Sequence, residues 1–284
     1  MGEVSFLKMH GLGNDFVVLD GRAGGFRPGP AAARAIGDRR TGVGFDQLLV
    51  IEPPEGGADI FLRFLNSDGS EAGACGNGTR CVAAHILEES GGERVSIATV
   101  AGTLTAWRAG RDAAGEPLYT VDMGPPRLGW RDIPVAGDCD TLHLPVAEGG
   151  LADPVGVSMG NPHAVFFVDD AEAVALEELG PRLERHPFFP DRANIEVVQV
   201  LSRDVLRMRV WERGAGITRA CGSGACATQV AAVRRGVADR RATVWMDGGP
   251  LQMEWREADG HVLMTGPVAV SFAGTLHPRL LAAD

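Results

Sequence analysis

Two cysteines stand apart from the other residues able to do chemistry. Cys221 lies in Trp211–Thr228, WERGAGITRACGSGACAT, flanked by glycines at the entry to a run with helical spacing, Ala225 to Arg235. Cys75 lies in a second copy of the motif, Ala74-Cys75-Gly76-Asn77-Gly78, again ahead of a helix-like run. At the start of a helix, unpaired backbone N–H groups and the positive dipole end both favour a thiolate. One such turn reads most simply as a buried structural cysteine; two of them read as chemistry. One thiolate can take a proton from a carbon while the other thiol returns a proton to the opposite face, which inverts a stereocentre. A carbanion beside a carboxylate needs stabilising, and the N–H groups after Cys75 (Gly76, Asn77) and after Cys221 (Gly222, Ser223) would supply it. The pair must rest as one thiol and one thiolate, and His163 and Glu212 are candidates to bias it.

The elements that must carry these motifs show a weak internal repeat. The cysteines are offset by 221 − 75 = 146 positions. Asn14 in LGNDFVVLD matches Asn161 in MGNPHAVFFVDD (161 − 14 = 147), and Gln47 matches Asn194 (194 − 47 = 147). Asn66, ending FLRFLN, matches Glu212, ending VLRMRVWE (212 − 66 = 146). Each is a polar residue where a strand meets a turn. Any one reads as a turn former. In the same order they predict two like domains facing each other across a cleft.

Between the motifs the chain reads as mostly strand, with one strong apolar helix in each half, over Thr79–Glu88 and Ala225–Arg235. Further helices are expected over Ala31–Arg40, a short one, and Ala171–Glu184. Helices are too few for a doubly wound sheet, so the class is α+β. A Pro- and Gly-rich stretch, Gly124–Asp140, marks the domain crossing, with residues 1–123 before it and 124–266 after it.

Composition narrows the field. The 284 residues are 45% apolar and 23% charged, as in a globular protein with real cores. A net charge of −10 with no Lys/Arg-rich run argues against nucleic acid and anionic membrane as partners. The longest apolar runs are too short to span a bilayer, and Met1–His10 lacks the pattern of a signal peptide, which points to the cytoplasm. Five cysteines (75, 81, 139, 221 and 226) with no C-x-x-C suggest thiols rather than a disulfide framework. Lys8 is the sole lysine, so a pyridoxal phosphate Schiff base has one candidate and is not expected.

MHGLGNDFVVLDG, GFDQLL, NSDGSEAGACGNGTRC, VSMGNPH and ERGAGITRACGSGACA resemble, in order and spacing, the motifs of the diaminopimelate epimerases. The resemblance runs over essentially the whole chain. It implies cofactor-independent interconversion of LL- and meso-2,6-diaminopimelate, on the route to lysine and peptidoglycan, with no metal. It implies two similar domains related by a pseudo-twofold, each a mixed, mostly antiparallel sheet rolled round a central helix. The active site would lie in the cleft, and the last segment, 267–284, would return to the first domain. Cys75 and Cys221 would exchange acid and base roles, tuned by His163 and Glu212. Asn14, Gln47, Asn66, Gly76, Asn77, Asn161, Asn194, Glu212, Arg213, Gly222 and Ser223 would bind substrate. Arg213 is suited to fork onto the distal carboxylate, with Glu212 and the amides receiving the ammonium. Trp211 stands where the family often has Tyr, and Ile217 where Glu is common. Phe272 replaces a tyrosine linked to dimer contact in some members, and a homodimer is expected.

Two other readings stand beside this one. A proline racemase or phenazine-type isomerase would use similar cysteines, but would not need the Glu212-Arg213 pair. A metal- or redox-responsive protein would use Cys75/Cys81 and Cys221/Cys226, yet C-x5-C and C-x4-C without a His pair suit tetrahedral zinc poorly.

Overall fold

A computed structural model describes residues 3–24 and 26–282. The chain divides into two compact units, Met1–Val121 with Gly266–Asp284, and Asp122–Thr265.

In the first unit the strands are β1 (Val4–Gly11), β2 (Asn14–Asp20), β3 (Gln47–Glu52), β4 (Ile60–Asn66), β5 (Glu71–Ala72), β6 (Arg94–Thr99), β7 (Gly102–Arg111) and β8 (Pro117–Asp122). Two helices accompany them, α1 (Pro30–Gly37) and α2 (Gly76–Ser90). β2 runs parallel to β3, β3 antiparallel to β4, β4 parallel to β6, and β6 antiparallel to β7. The helix α2 packs against β1, β2, β3, β6 and β7, so the sheet wraps it. The sheet's other face carries a core of Val17, Leu19, Leu48, Val50 and Leu65 beneath Ala33 and Ile36 of α1. Strands covered on both faces lose the apolar–polar alternation, and β3 accordingly reads QLLVIE with every residue after Gln47 buried.

The second unit repeats this plan. Its strands are β9 (Ala147–Glu148), β10 (Leu151–Ala152), β11 (Val155–Ser158), β12 (Pro162–Val168), β13 (Asn194–Ser202), β14 (Val205–Glu212), β15 (Gly216–Ile217), β16 (Arg241–Met246), β17 (Gly249–Trp255) and β18 (Val262–Pro267). Its helices are α3 (Leu176–Glu184) and α4 (Gly222–Arg234). β12 runs parallel to β13, β13 antiparallel to β14, β14 parallel to β16, and β16 antiparallel to β17. The register repeats too: Phe16 pairs with Gln47 as His163 pairs with Asn194. Helix α4 packs against β11, β12, β13, β14, β16 and β17, while Leu176, Leu179 and Leu183 of α3 cover the opposite face. After this unit, β19 (Ala269–Leu276) returns to pair antiparallel with β1, and α5 (Pro278–Leu281) packs on α1.

Both central helices begin earlier than periodicity alone predicts. Each starts at the residue after its cysteine, because glycines fill the first turn, where a side chain would collide with the sheet. A Cβ on Gly78 would come within 3.2 Å of Leu49 and Phe64, and one on Gly224 within 2.9 Å of Glu196 Oε1. Helix α2 stops at Gly91, which takes the left-handed conformation (φ 68°) that glycine adopts without a Cβ penalty. Helix α3 starts five residues later than expected, since Ala171–Ala175 turn instead. Among the described residues no helix is long and apolar enough to cross a membrane.

Candidate active site

Cys75 is the N-cap residue of α2 and Cys221 that of α4, both with extended backbone (φ −146° and −120°). In each case the sulfur accepts a hydrogen bond from the backbone N–H three residues on. Gly78 N lies 3.5 Å from Cys75 Sγ, and Gly224 N lies 3.3 Å from Cys221 Sγ. A thiol here does what Ser or Asp does at an ordinary N-cap, which holds its sulfur at the positive end of the helix.

Two amides stand beside Cys75. The thiol reaches Asn14 Oδ1 at 3.9 Å, and Asn77 Nδ2 donates to the same oxygen at 3.3 Å. Asn14 is oriented from behind, since its Nδ2 donates to Asp46 at 2.9 Å. Arg39 binds both Asp46 and Asp15, and Lys8 donates to Asp15 and to Gly44 O. The only lysine is therefore committed to an ion pair at the rim. Burial raises the Asp15 carboxyl, but the bonds from Arg39 and Lys8 outweigh it and the net shift is downward. Arg80, fully buried, donates to Asn77 Oδ1 at 3.1 Å and Pro267 O at 3.2 Å. Gln47 Nε2 donates to Asn66 Oδ1 at 3.0 Å, while Gln47 Oε1 is buried with no hydrogen-bond partner among the described residues.

Around Cys221 ionisable groups stand behind the hydrogen-bond partners. Ser223 Oγ lies 3.6 Å from the sulfur and accepts from Asn161 Nδ2 at 3.3 Å. Asn161 Oδ1 is 3.0 Å from His163 Nε2, and His163 Nδ1 is 2.7 Å from Glu196 Oε1. His163 and Glu196 are both wholly buried. Glu212 accepts a hydrogen bond from Thr218 Oγ1, and its carboxyl acts on Cys221 electrostatically. Burial pushes the Cys221 thiol well above its ordinary value, and the Glu212 and Glu196 carboxyls push the same way, against the Ser223 and Gly224 donors. Burial likewise raises Glu196 and Glu212.

The turn after β14 is fixed from outside. Asn194 uses both ends of its amide on backbone, donating to Pro162 O and accepting from Arg213 N, each at 2.9 Å. Glu184 accepts from Trp211 Nε1 at 2.7 Å and from Gly214 N at 3.3 Å. Trp211 lies flat against Gly180, where a Cβ would come within 2.4 Å of the indole. The exposed Arg213 guanidinium donates to Asp191 O at 3.0 Å.

The site residues named from sequence thus fall into two sets. Asn14, Gly76 and Asn77 adjoin Cys75, with Gln47 and Asn66 bonded to each other in the same unit. Gly222 and Ser223 adjoin Cys221, with Asn161 and His163 linked behind Ser223, Glu212 acting on the thiol, and Asn194 holding the backbone of Arg213. Sequence reasoning missed Asp46, Arg39 and Arg80 in the first set, and Thr218 and Glu196 in the second. Glu196 carried a signal, a lone carboxylate inside the apolar run NIEVVQV. The remaining thiols differ in kind. Cys81 is buried in α2, and burial pushes it up to about 12, which makes it inert. No group of three or more His, Cys, Asp or Glu among the described residues is arranged to hold a metal ion.

The family model described as diaminopimelate epimerase matches residues 6–129 and 155–270. This chain belongs to the diaminopimelate epimerase family. A relative of that name from Rhodospirillum centenum is 60% identical, over 97% of this chain and 93% of its own length. Another from Acidiphilium cryptum is 56% identical, over 98% of both. Among solved structures, a phenazine biosynthesis protein of the PhzF family from Bacillus anthracis matches with TM-score 0.69 at 15% identity, covering 98% of this chain and 100% of its own. A probable proline racemase from Agrobacterium radiobacter matches with TM-score 0.67 at 17% identity, covering 96% and 93%. At those identities the likeness concerns the fold, which is the α+β architecture expected from the sequence.

Proposed function

We propose that this chain epimerises LL-2,6-diaminopimelate to the meso form, without a cofactor, on the route to lysine and peptidoglycan precursors in the cytoplasm. Cys75 and Cys221 are the two bases. The observation that carries this reading is the repeated N-cap thiol, each sulfur held by a helix N-terminus in an equivalently built unit. One thiolate removes the α-proton and the other thiol protonates the opposite face. Backbone N–H groups at Gly76, Asn77, Gly222 and Ser223 take the charge that develops on the carboxylate. Burial and the Glu212 carboxyl keep Cys221 a thiol at rest, so in one direction it is the acid. In the reverse direction Glu212, the carboxyl that acts most strongly on Cys221, receives its proton.

Substrate recognition divides between the two sets. Gln47 Oε1, a buried acceptor without a partner among the described residues, receives the substrate ammonium. Arg213, exposed beside Glu212, takes the distal carboxylate, an end that proline lacks. Asn14, Asn66, Asn161 and Asn194 complete the binding set, Asn194 by fixing the backbone N–H of Arg213. The chain works as a homodimer through β19, where Phe272 is half exposed and stacks edge-on against Phe6 at 6.0 Å.

The deciding assay follows α-proton exchange in D2O with LL-diaminopimelate and with proline. Exchange and inversion with diaminopimelate alone are expected; exchange with proline alone would overturn the substrate. Sedimentation of Phe272→Asp tests the dimer, with monomer expected.

A further inference from the structure

Glu196 has no part in the two-base scheme, yet it sits directly beneath the first turn of α4. It is wholly buried, its Oε1 is 2.7 Å from His163 Nδ1, and its Oε2 has no hydrogen-bond partner among the described residues. An ionised carboxylate with one bare oxygen is costly inside a protein unless its partner balances it. His163 meets an acceptor on each side, Glu196 at Nδ1 and Asn161 Oδ1 at Nε2. Asn161 Oδ1 can only accept, so Nε2 carries a hydrogen. The Glu196–His163 contact needs one more proton, shared between them. Whichever of the two holds it, the pair is neutral overall and His163 Nε2–H points to Asn161. From there the direction is fixed: Asn161 Nδ2 donates to Ser223 Oγ at 3.3 Å, and the Ser223 hydroxyl hydrogen is left for Cys221 Sγ, 3.6 Å away.

We propose that Glu196 is a positioning residue, which through His163, Asn161 and Ser223 keeps a hydroxyl donor aimed at Cys221 Sγ and so stabilises its thiolate when that cysteine acts as base. The proposal rests on the reading of Cys221 as one of the two bases. The geometry at Gly224 supports it. A Cβ there would lie 2.9 Å from Glu196 Oε1 and 3.3 Å from Cys221 Sγ, so the helix start is built to sit on this carboxyl. The ionisable groups acting on Cys221 are Glu212 from β14 and Glu196 from β13, with His163 from β12 bonded to Glu196. As a bare anion Glu196 would make the thiolate harder to form; as the head of the donor chain it makes it easier. The two roles predict opposite signs.

The test uses the full chain and reads the pH midpoint of Cys221 alkylation by iodoacetamide, followed on the Cys221 peptide by mass spectrometry, with steady-state kinetics. Glu196→Leu is expected to move the midpoint upward and lower kcat roughly tenfold, less than the ~10²–10³-fold of a donor removed outright, with KM little changed. Glu196→Gln, whose amide N–H can still donate to His163 Nδ1, should restore both. Ser223→Ala should move the midpoint in the same direction, and adding Glu196→Leu to it should change little more, because both cut one chain. A downward midpoint in Glu196→Leu, or full additivity with Ser223→Ala, overturns the proposal. If the leucine variant does not fold, nitrogen-15 spectra of labelled His163 in wild type and Glu196→Gln decide. A hydrogen on Nε2 in both is expected, and a bare Nε2 in the wild type overturns the proposal. Cys221→Ala separates the two levels: if it still epimerises, the base assignment fails first. If it is inactive while Glu196→Leu matches wild type, only the Glu196 chain fails.

Discussion

Leu49 lies under the first turn of α2 and Glu196 under that of α4, at the same place in the repeat (196 − 49 = 147), and on the neighbouring strands Phe16 and His163 are likewise equivalent (163 − 16 = 147). All four are buried. The strand pairings, N-cap thiol and glycine pattern are shared, yet the floor of one site is apolar and that of the other is ionisable. The first unit places its charges elsewhere, with Arg80 buried behind Asn77 and a Lys8, Asp15, Arg39 and Asp46 network that turns Asn14 toward Cys75. One scaffold therefore sets two thiols in different fields. That suits a reaction in which one sulfur starts charged and the other neutral, since identical surroundings would give no preference.

Loss of either thiol gives the largest expected effect. Cys75→Ala and Cys221→Ala should each lower epimerisation by about 10²–10⁴-fold, the range of a general acid or base. Single-turnover exchange with each epimer sharpens the comparison. Each variant should keep proton abstraction from the one epimer that its remaining thiol faces. If either variant stays near wild-type rate, the two-base reading fails.

Next come the glycines over the two floors. Gly224→Ala drives a methyl toward Glu196 Oε1 and the Cys221 sulfur, both fixed by hydrogen bonds, and should cost activity about tenfold or more. Gly78→Ala meets only the methyl and ring carbons of Leu49 and Phe64 at 3.2 Å, which shift by a few tenths of an ångström. It should cost about 1–3 kcal/mol of stability by overpacking, with kcat much less affected. Denaturant titration and kinetics on both variants would expose equal effects, which would contradict the difference between the floors.

This contrast also shows how far the sequence could be read. The α+β class was legible because each half holds one apolar helix among many short strands. Cys75 and Cys221 were legible because glycine-flanked cysteines occur twice at one offset. Rim amides such as Asn14 and Asn161 stood out for the same reason. Glu196 did not, because its partner position holds leucine, so a search for repeated polar residues passes over it. Arg39 and Asp46 escaped notice for another reason. Their work is to hold Asn14, and a charged loop residue looks alike in sequence whether it faces water or a neighbour. Trp211 was visible only as a departure from the family's tyrosine, while its role, anchoring the Glu212-Arg213 turn to Glu184, depends on an α3 contact that spacing does not encode.

The two units should also answer acid differently. Asp15 is lowered when folded, so it adds stability above its unfolded value, about 3.9, that is lost as pH falls through the folded one. Glu196 is raised by burial, so its contribution is fullest below the unfolded value, about 4.3, and declines as pH rises toward the folded one. Glu196→Gln should therefore be at least as stable as wild type at pH 7, with the difference vanishing near pH 4. Asp15→Asn should be less stable at pH 7 and converge with wild type in acid. Thermal unfolding across pH 3–8 reads both, and parallel curves would contradict the assigned fields.

The smallest effect is expected at Arg39, which binds Asp15 and Asp46 while its side chain remains 57% exposed. Exposed pairs of this kind contribute about 0–1 kcal/mol, so Arg39→Ala should barely move the unfolding midpoint. Its catalytic effect should be larger than its stability effect. Without Arg39, Asp46 is less firmly held, and Asn14 loses its fixed orientation toward Cys75. A fall in kcat of about two- to fivefold is expected for a hydrogen bond loosened rather than removed. The alkylation midpoint of Cys221 should stay where it is, because none of its hydrogen-bonding or charged neighbours is touched. If that midpoint moved with Arg39→Ala, the rim network of the first unit and the buried chain of the second would not be separate devices.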